Sequence, residues 1–399
     1  MAEAHEQVAC RQPGWQGIQH ALWSLGCRPF FLAAAVWAAF AVSLWMVVFT
    51  TGITLPSRFA AMDWHIHAML FGFVPAAVAG FLLTAVANWT GRPPISGGRL
   101  QTLFALWLAG RIACLFSAQL PLPVVVSVDV AFPWALCAVV SWEVIAARHW
   151  RNIAMGLPVL LMGLADLLSY GGLAGLAINH GLSDRLGIMA TIVLISVIGG
   201  RIIPTFTRNW LVQQAKTAPP AAPGWLDRLA LGTLHLGLSG WVLAPQARSV
   251  GILLVIAAIL NAWRLARWHG LATCSAPLLA ILHMGYAWVV LGTALLGACI
   301  LNPIIPFPAA IHALSAGAMG TMIIGVMTRV LRGHTGRPLV ADRLTVVLYL
   351  MVTTAAVLRV LAAFMGLLPL FQLSAISWIL AFGGFVVMYG PMGLLPRKT

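Results

Sequence analysis

Twelve apolar runs follow one another along this chain of 399 residues, and most are long enough to cross a lipid bilayer as a helix. Backbone N–H and C=O groups meet no water inside a membrane, so each run must satisfy them internally, which predicts helices. Only 8% of the residues are charged and 61% are hydrophobic, which leaves too little polar surface for a soluble protein of this size. We therefore predict an all-α polytopic membrane protein with twelve transmembrane helices, at residues 30–51, 66–89, 100–118, 122–145, 153–178, 186–206, 229–245, 249–266, 276–301, 308–331, 344–368 and 371–394.

The net charge of +14 is distributed unevenly between the predicted loops. With a cytoplasmic start, the inner side holds Arg11, Arg28, Arg92, Arg99, Arg148, Arg151, Lys216, Arg228, Arg264, Arg267, Arg332, Arg337, Arg343, Arg397 and Lys398. The outer side holds only Arg58, Arg185 and Arg248. Positive residues accumulate on the cytoplasmic side of membrane proteins, so both termini are predicted to be cytoplasmic. The excess of basic residues is therefore explained by membrane topology and contact with membrane lipid, and no nucleic-acid partner is expected.

The chain is predicted to form one domain. Residues 1–28 are expected to be a cytoplasmic N-terminal segment, since they lack the apolar core and cleavage site of a signal peptide. Residues 29–399 are expected to form a single twelve-helix transmembrane domain, interrupted by one Pro- and Ala-rich linker at 213–225. Three cysteines lie in apolar runs without CxxC spacing: Cys114, Cys137 and Cys299. There we expect them to act as small apolar residues.

One sequence pattern occurs in both the second and the tenth run. His67 is followed by Ala and, at 90–93, by Thr-Gly-Arg-Pro; His312 is followed by Ala and by Thr-Gly-Arg-Pro at 335–338, in the same register. Eight helices separate the two copies, so the two helices are expected to run parallel. Because neutral imidazole is a common ligand of haem and transition metals, we predict that His67 and His312 hold a haem b or a metal between them near the outer surface.

A second pattern relates the third, seventh and eleventh runs. Arg111, His235 and Arg359 follow one another at intervals of 124 residues, and each precedes a proline by ten residues. The pattern predicts three four-helix units around a pseudo-threefold axis. The alternative is coincidence, since proline ends many membrane helices.

His65 stands two residues before His67. On a helix, side chains two residues apart point about 200° apart, so the two rings cannot face one site. Two interpretations stay open: the histidines serve two centres on opposite sides of the second helix, or His65 precedes that helix and caps it.

His235 and His283 are the remaining histidines well inside apolar runs. They are candidate ligands of a second metal, for which copper is the candidate. The alternative is that each ring only forms a hydrogen bond with a neighbouring helix.

Charged residues inside a membrane are costly and usually mark function. Arg111, Arg201 and Arg359 are candidate partners of haem propionates, because a guanidinium binds a carboxylate bidentately. Arg201 follows two glycines and precedes a proline, where a helix can bend towards a ligand. Asp129 and Asp166 are among the few acids in the runs, and Asp166 is alternatively the counter-ion of one arginine.

Four motifs, in order, resemble the signatures of the NnrS family. They are Trp-His-Ile-His-Ala-Met-Leu-Phe-Gly-Phe at 64–73, Asn-Trp-Thr-Gly-Arg-Pro at 88–93, Gly-Gly-Arg-Ile-Ile-Pro at 199–204 with Thr-Arg-Asn at 207–209, and Gly-His-Thr-Gly-Arg-Pro at 333–338. The resemblance covers nearly the whole chain. It implies a multi-spanning protein of the bacterial inner membrane that contains haem and copper and takes part in nitric oxide metabolism. One departure is Ala68, where that family often has an acidic residue.

The layout is also similar to the large subunit of haem–copper oxidases and nitric oxide reductases, which has twelve helices in three arcs. There the second and tenth helices ligate the low-spin haem, as His67 and His312 would here. The copper-binding histidines of those proteins are not matched, except that His235 lies on the seventh run. A similar layout does not by itself imply the same chemistry.

Two functional hypotheses follow from these observations. The first is a haem-binding protein, with copper as a second candidate cofactor, that binds and consumes nitric oxide as a reductase-like oxidoreductase supplied by quinol or another membrane electron donor. The second is a transporter for a metal or a metal–nitrosyl species, since transporters also contain internal repeats. Stoichiometric haem distinguishes them. The chain shows no CxxCH, GxSxG or Walker sequence, so c-type haem attachment, serine hydrolysis and nucleotide-driven transport are not expected.

Overall fold

A computed structural model describes residues 15–179, 181–215, 220 and 222–397, apart from the side chains at 15, 16, 151 and 154. Half of the predicted N-terminal segment, part of the linker 213–225, and Arg11, Lys216 and Lys398 of the charge pattern therefore lie outside the described residues. The described part of the N-terminal segment contains a short helix, Trp15–Leu22.

Every regular element in the described residues is helical, as predicted. The short helix is followed by twelve longer ones: α1 Cys27–Thr51, α2 Ala61–Thr90, α3 Gly97–Leu115, α4 Leu122–Ala146, α5 Gly156–Ser169, α6 Leu182–Gln213, α7 Trp225–Leu243, α8 Arg248–Ala266, α9 Pro277–Leu301, α10 Phe307–His334, α11 Arg343–Met365 and α12 Leu368–Leu394. The α2 and α10 helices each contain a π-helical segment.

Nine of these twelve described helices are long and apolar enough to cross a membrane, judged by length and composition. The exceptions are α5, a shorter apolar helix, and α3 and α7, whose 19 residues include charged or imidazole side chains. The structure therefore supports a multi-pass membrane protein with nine candidate spans in its described residues, and the count of twelve spans stays a prediction.

Two helix boundaries differ from the predicted runs in ways that matter for the site. The α2 helix begins at Ala61, five residues before the predicted run, so both His65 and His67 lie inside it. The α5 helix ends at Ser169, although its run was predicted to extend to 178. Three glycines between 171 and 175 follow it, and glycine has a low helix propensity.

The helices α2, α6 and α10 lie at the centre of the bundle. The apolar windows of these three are 83%, 67% and 67% buried, against 33–44% for the other six full-length spans. Each of the three contacts the other two. Helices adjacent in sequence pack against each other around them, and α12 returns to pack along α1. The most buried of the described spans are therefore the second, sixth and tenth helices.

The sequence repeat has a structural counterpart. A π-helical segment, Ala68–Phe73, begins directly after His67, and another, Ala313–Gly320, begins directly after His312. Indole N–H groups of α1 and α3 donate to two carbonyl oxygens of the first segment, Trp37 to Ala68 at 2.8 Å and Trp107 to Gly72 at 3.0 Å. Single-turn π segments are rare and occur often at functional sites.

Helix packing depends on glycine where two backbones touch. A Cβ added to Gly297 of α9 would lie 2.7 Å from the carbonyl oxygen of Gly251 and 3.0 Å from the backbone nitrogen of Val255, both on α8. Backbone atoms cannot move aside as a flexible side chain would. Small residues at such crossings allow the close approach on which packing in a membrane depends.

We expect Gly297→Ala to lower the free energy of unfolding by about 1–3 kcal/mol, because the added methyl group forces α8 and α9 apart. Gly232→Ala on α7 is the matched control, since nothing lies within 4 Å of its added Cβ. Thermal unfolding of both variants in detergent measures the difference. Equal melting temperatures would contradict the close packing of α8 and α9.

Candidate functional site

The imidazole of His67 lies at the centre of a buried polar cluster formed by α2, α3, α4 and α5. Its Nε2 is 3.0 Å from Oδ1 of Asp166 on α5 and 3.2 Å from Oδ2 of Asp129 on α4. Its Nδ1 is 3.4 Å from the sulfur of Cys114 on α3. With Nε2–H donating to the carboxylates, Nδ1 is left to accept from the thiol. The two carboxylates therefore favour one tautomer of this ring.

Asp129 connects the cluster to Arg111, the one arginine that bonds to it among the described residues. One oxygen accepts a hydrogen bond from Nη2 of Arg111 on α3, and the other accepts from the hydroxyl of Tyr170 at 2.5 Å. Gly110 permits this approach, because a Cβ there would lie 3.0 Å from Cα of Asp129. Asp129 thus holds α3, α4 and the end of α5 together at one end of the bundle.

Several polar atoms of the cluster are buried without a partner in the described structure. They are Nε and Nη1 of Arg111 and Oδ2 of Asp166. Unpaired buried groups are rare and point to a water or an ion. The formal charges point the same way, because one arginine and two carboxylates leave one negative charge. A proton on His67 or a bound cation would balance it.

The donor atoms themselves suit a metal. Ligand atoms of His67, Cys114 and Asp129 all lie within 4.8 Å of one another, and this is the only such group found among the described residues. Imidazole and thiolate suit copper or zinc. A metal-binding histidine usually donates its second N–H to a carboxylate, as His67 does to Asp166.

A second cluster lies on the other side of α2. The ring of His65 stacks on Trp45 of α1, with 4.9 Å between ring centroids, and its buried Nδ1 has no hydrogen-bond partner. On α10, Nδ1–H of His312 donates to the carbonyl oxygen of Pro308 at 2.7 Å, which leaves its Nε2 as the unprotonated nitrogen. Each ring thus retains one nitrogen for a ligand.

Arg359 of α11 brings these two histidines into one electrostatic environment. Its charge influences both His65 and His312, and His65 in turn influences His312. Its guanidinium lies 5.0 Å from the ring centroid of Phe371. No carboxylate within the described ranges pairs with Arg359, whereas Arg111 has Asp129. An intramembrane cation without an acid is costly and is a candidate site for an anionic group.

Comparison with protein families decides the identity of the chain. The model of the family described as NnrS protein matches residues 21–397, nearly the whole chain. The chain belongs to the NnrS family. This confirms the resemblance found in its motifs. No curated protein matches the chain.

In this NnrS-family chain the repeated histidines have different neighbours. Both ring nitrogens of His67 face α3–α5, and no described contact joins it to His312. The residue on α2 that shares an electrostatic environment with His312 is His65. The two-sided interpretation of the His-x-His pair fits this arrangement, because α2 begins before His65. A haem shared by His67 and His312 stays a prediction without a supporting contact.

His235 and His283 each bond to a hydroxyl group of α6. The partner of His235 is Ser196 and that of His283 is Thr207, both at 2.9 Å. Neither ring belongs to a group of three or more metal-type donors among the described residues. The geometry favours the interpretation that these histidines hold helices together, and their role as metal ligands stays a prediction.

Arg201, a candidate partner of a haem propionate, is exposed on α6 and takes part in neither cluster. The glycine before it has another use. Gly200 provides room for the guanidinium of Arg264 on α8, which packs against the α6 backbone. The α6 helix continues through Pro204 to Gln213, so the predicted bend does not interrupt it.

Sequence reasoning missed Cys114 as a site residue, because a cysteine in an apolar run is usually a small core residue. A signal was present: Cys114 follows Arg111 by three residues, so the two share one face of α3. Asp129 and Asp166 were singled out only as acids inside apolar runs, with Asp166 as an alternative counter-ion of one arginine. Asp129 does pair with Arg111, but Asp166 bonds to His67, and no sequence signal distinguished those partners.

We expect Asp129→Asn to destabilise the protein by about 3–5 kcal/mol, because Arg111 then becomes a buried charge without a counter-ion. Adding Arg111→Gln in the same chain is expected to recover part of the loss. Glu143→Gln is the control, since its partner Arg92 is 40% exposed and water can solvate it. Thermal unfolding in detergent measures all three, and an additive double variant would argue against the pair.

Proposed function

We propose that this NnrS-family protein is a haem-binding protein of the bacterial inner membrane that binds nitric oxide and consumes it during nitrosative stress. The observation that carries the proposal is the arrangement of His65, His312 and Arg359 across α2, α10 and α11. The haem would lie between His65 and His312, in place of the His67–His312 pair that the sequence repeat suggested.

The residues present fit a haem in three respects. His65 has an orphaned buried nitrogen, and the hydrogen bond to Pro308 leaves Nε2 of His312 free to coordinate. No carboxylate in the described part of the chain pairs with Arg359, and a haem propionate would provide one. Trp45 offers a flat apolar surface beside His65. Proximal histidine and a basic propionate partner are ordinary features of haem sites.

When bound, haem would supply a redox-active iron for one-electron chemistry on nitric oxide. The chain's own contributions are positional. Trp45 orients the His65 ring, the Pro308 carbonyl fixes the tautomer of His312, and Arg359 would pair with a propionate carboxylate. As an oxidoreductase of the nitric oxide reductase type, the protein would take electrons from quinol or another membrane donor.

The His67 cluster would hold the second cofactor, with copper as the candidate. His67, Cys114 and Asp129 would be the ligands, and Asp166 would orient the His67 ring. The cluster carries one more negative than positive formal charge, which supports a bound cation there. Since His65 and His67 lie on one helix two residues apart, the two cofactors would sit on opposite sides of α2.

The proposal includes a pseudo-threefold architecture of twelve spans with both termini in the cytoplasm. Its support is the central position and mutual contact of α2, α6 and α10. The polar residues of the 124-residue repeat each approach the central helix of their own group: Arg111 lies against Gly72, His235 bonds to Ser196, and Arg359 acts on His312.

We expect His65→Ala and His312→Ala each to abolish the sharp reduced-haem bands of the purified protein, because each removes one of the two histidines that would hold the haem. His67→Ala is expected to leave those bands in place. Reduced-minus-oxidised spectra of the three variants and the wild type test this. Loss of the bands in the His67→Ala and His312→Ala variants, but not in His65→Ala, would support the pair that the sequence repeat suggested. A wild type without haem would favour the transporter hypothesis.

We expect Cys114→Ser to lower bound metal from about one ion per chain to near zero, because a hydroxyl is a far weaker soft-metal ligand than a thiolate. Cys137→Ser is the control, since Cys137 lies outside the cluster and its described hydrogen-bond partner is the backbone carbonyl of Gly156, at 3.7 Å. Elemental analysis of protein loaded with copper or zinc gives the ratio. Equal metal in both variants would remove the cluster as a metal site while leaving the haem proposal standing.

A further inference from the structure

A cavity of about 430 Å³ lies between the ends of α6, α9 and α10, at the face that the charge pattern predicts to be cytoplasmic. The loop before α11 forms its remaining wall through Leu339, Val340 and Ala341. Ligand sites commonly measure about 300–1,000 Å³. The cavity is far along α10 from His312, about 25 Å at 1.5 Å per residue, so it is separate from both cofactor clusters.

The described lining of this cavity contains one charged group, the guanidinium of Arg329 on α10, and no carboxylate. The guanidinium lies 4.0 Å from the ring centroid of Phe206 on α6. Unlike Arg329, Arg332 one turn later bonds to Asp342 at 2.5 Å and to the hydroxyl of Tyr389 at 3.0 Å. No described acid lies within ion-pair distance of Arg329. The cavity therefore presents a positive charge that an anion can neutralise.

Neutral hydrogen-bonding groups surround the guanidinium. Asn209 and Gln213 lie four residues apart on α6 and so share a face, and Ser275 lies opposite them. The amino end of α9 also opens here, and its N-cap residue Ala276 provides no side-chain cap. The dipole of a helix adds positive potential at that end. All these groups suit the oxygens of a phosphate group.

Exposed apolar residues at the edge of the cavity indicate which kind of molecule would carry the phosphate group. Leu339 and Val340 line the cavity and are 49% and 67% exposed, which is unfavourable beside a site for a small water-soluble anion. Beside a membrane surface the same side chains contact acyl chains. We propose that this cavity binds the phosphate headgroup of an anionic phospholipid, with Arg329 as its counter-ion.

The test is native mass spectrometry of the full-length protein with phosphatidylglycerol or phosphatidylcholine of identical acyl chains. The wild type is expected to retain one phosphatidylglycerol and to prefer it over phosphatidylcholine. Arg329→Gln is expected to weaken this binding about fivefold, the effect of one basic residue near a membrane surface. Arg343→Gln is the matched control: it removes an exposed arginine from the same face outside the cavity and is expected to bind as the wild type does.

Two further measurements complete the test. Gln213→Leu leaves Arg329 in place but removes a hydrogen-bonding group from the cavity, so it is also expected to weaken phosphatidylglycerol binding. This variant tests the proposal even if Arg329→Gln fails to fold. Inorganic phosphate at millimolar concentration is expected not to displace the lipid. Equal binding by the Arg329 and Arg343 variants, no preference between the lipids, or displacement by phosphate alone would overturn the proposal. None of these readouts depends on haem or metal content.

Discussion

The buried ion pair of Arg111 and Asp129 determines how four helices meet around His67. Neither charge can be left alone in a membrane interior, so α3 and α4 must approach until the two groups bond. Gly110 makes that approach possible. Once Asp129 is fixed, its second oxygen receives Tyr170 and lies beside His67, and the remaining negative charge of Asp166 reaches the same ring. The position of the imidazole is thus a consequence of charge pairing.

The periodicity of α2 then separates two kinds of chemistry. His67 faces carboxylates and a thiol, whereas His65 faces an aromatic ring and an arginine without an acid. Two histidines about 3 Å apart along the helix axis therefore meet different neighbours, with carboxylates beside His67 and the influence of Arg359 at His65. A cation suits the first environment, and a cofactor with an anionic edge suits the second. The proposed function takes one cofactor on each side.

Most of the fold was predictable from the sequence, because the bilayer allows few solutions for an apolar backbone. The helical character, the order of the twelve helices and most of their bounds follow from apolar runs between polar turns. The site was less predictable. The repeat identified His67 and His312 as exceptional, and each does precede a π-helical segment. It could not show that His65, and not His67, shares an environment with His312, because α2 was expected to begin at 66.

The sequence alone determined that the chain is helical, belongs in a membrane, and carries histidines and arginines where hydrocarbon makes them costly. It also determined family membership, since the motifs extend over the chain. The tertiary structure decided which of these polar residues meet. Cys114, Asp129 and Asp166 come from three helices, and their convergence on His67 depends on helix rotation and crossing. Those quantities are set by packing at contacts such as Gly110, which depend on residues distant in sequence.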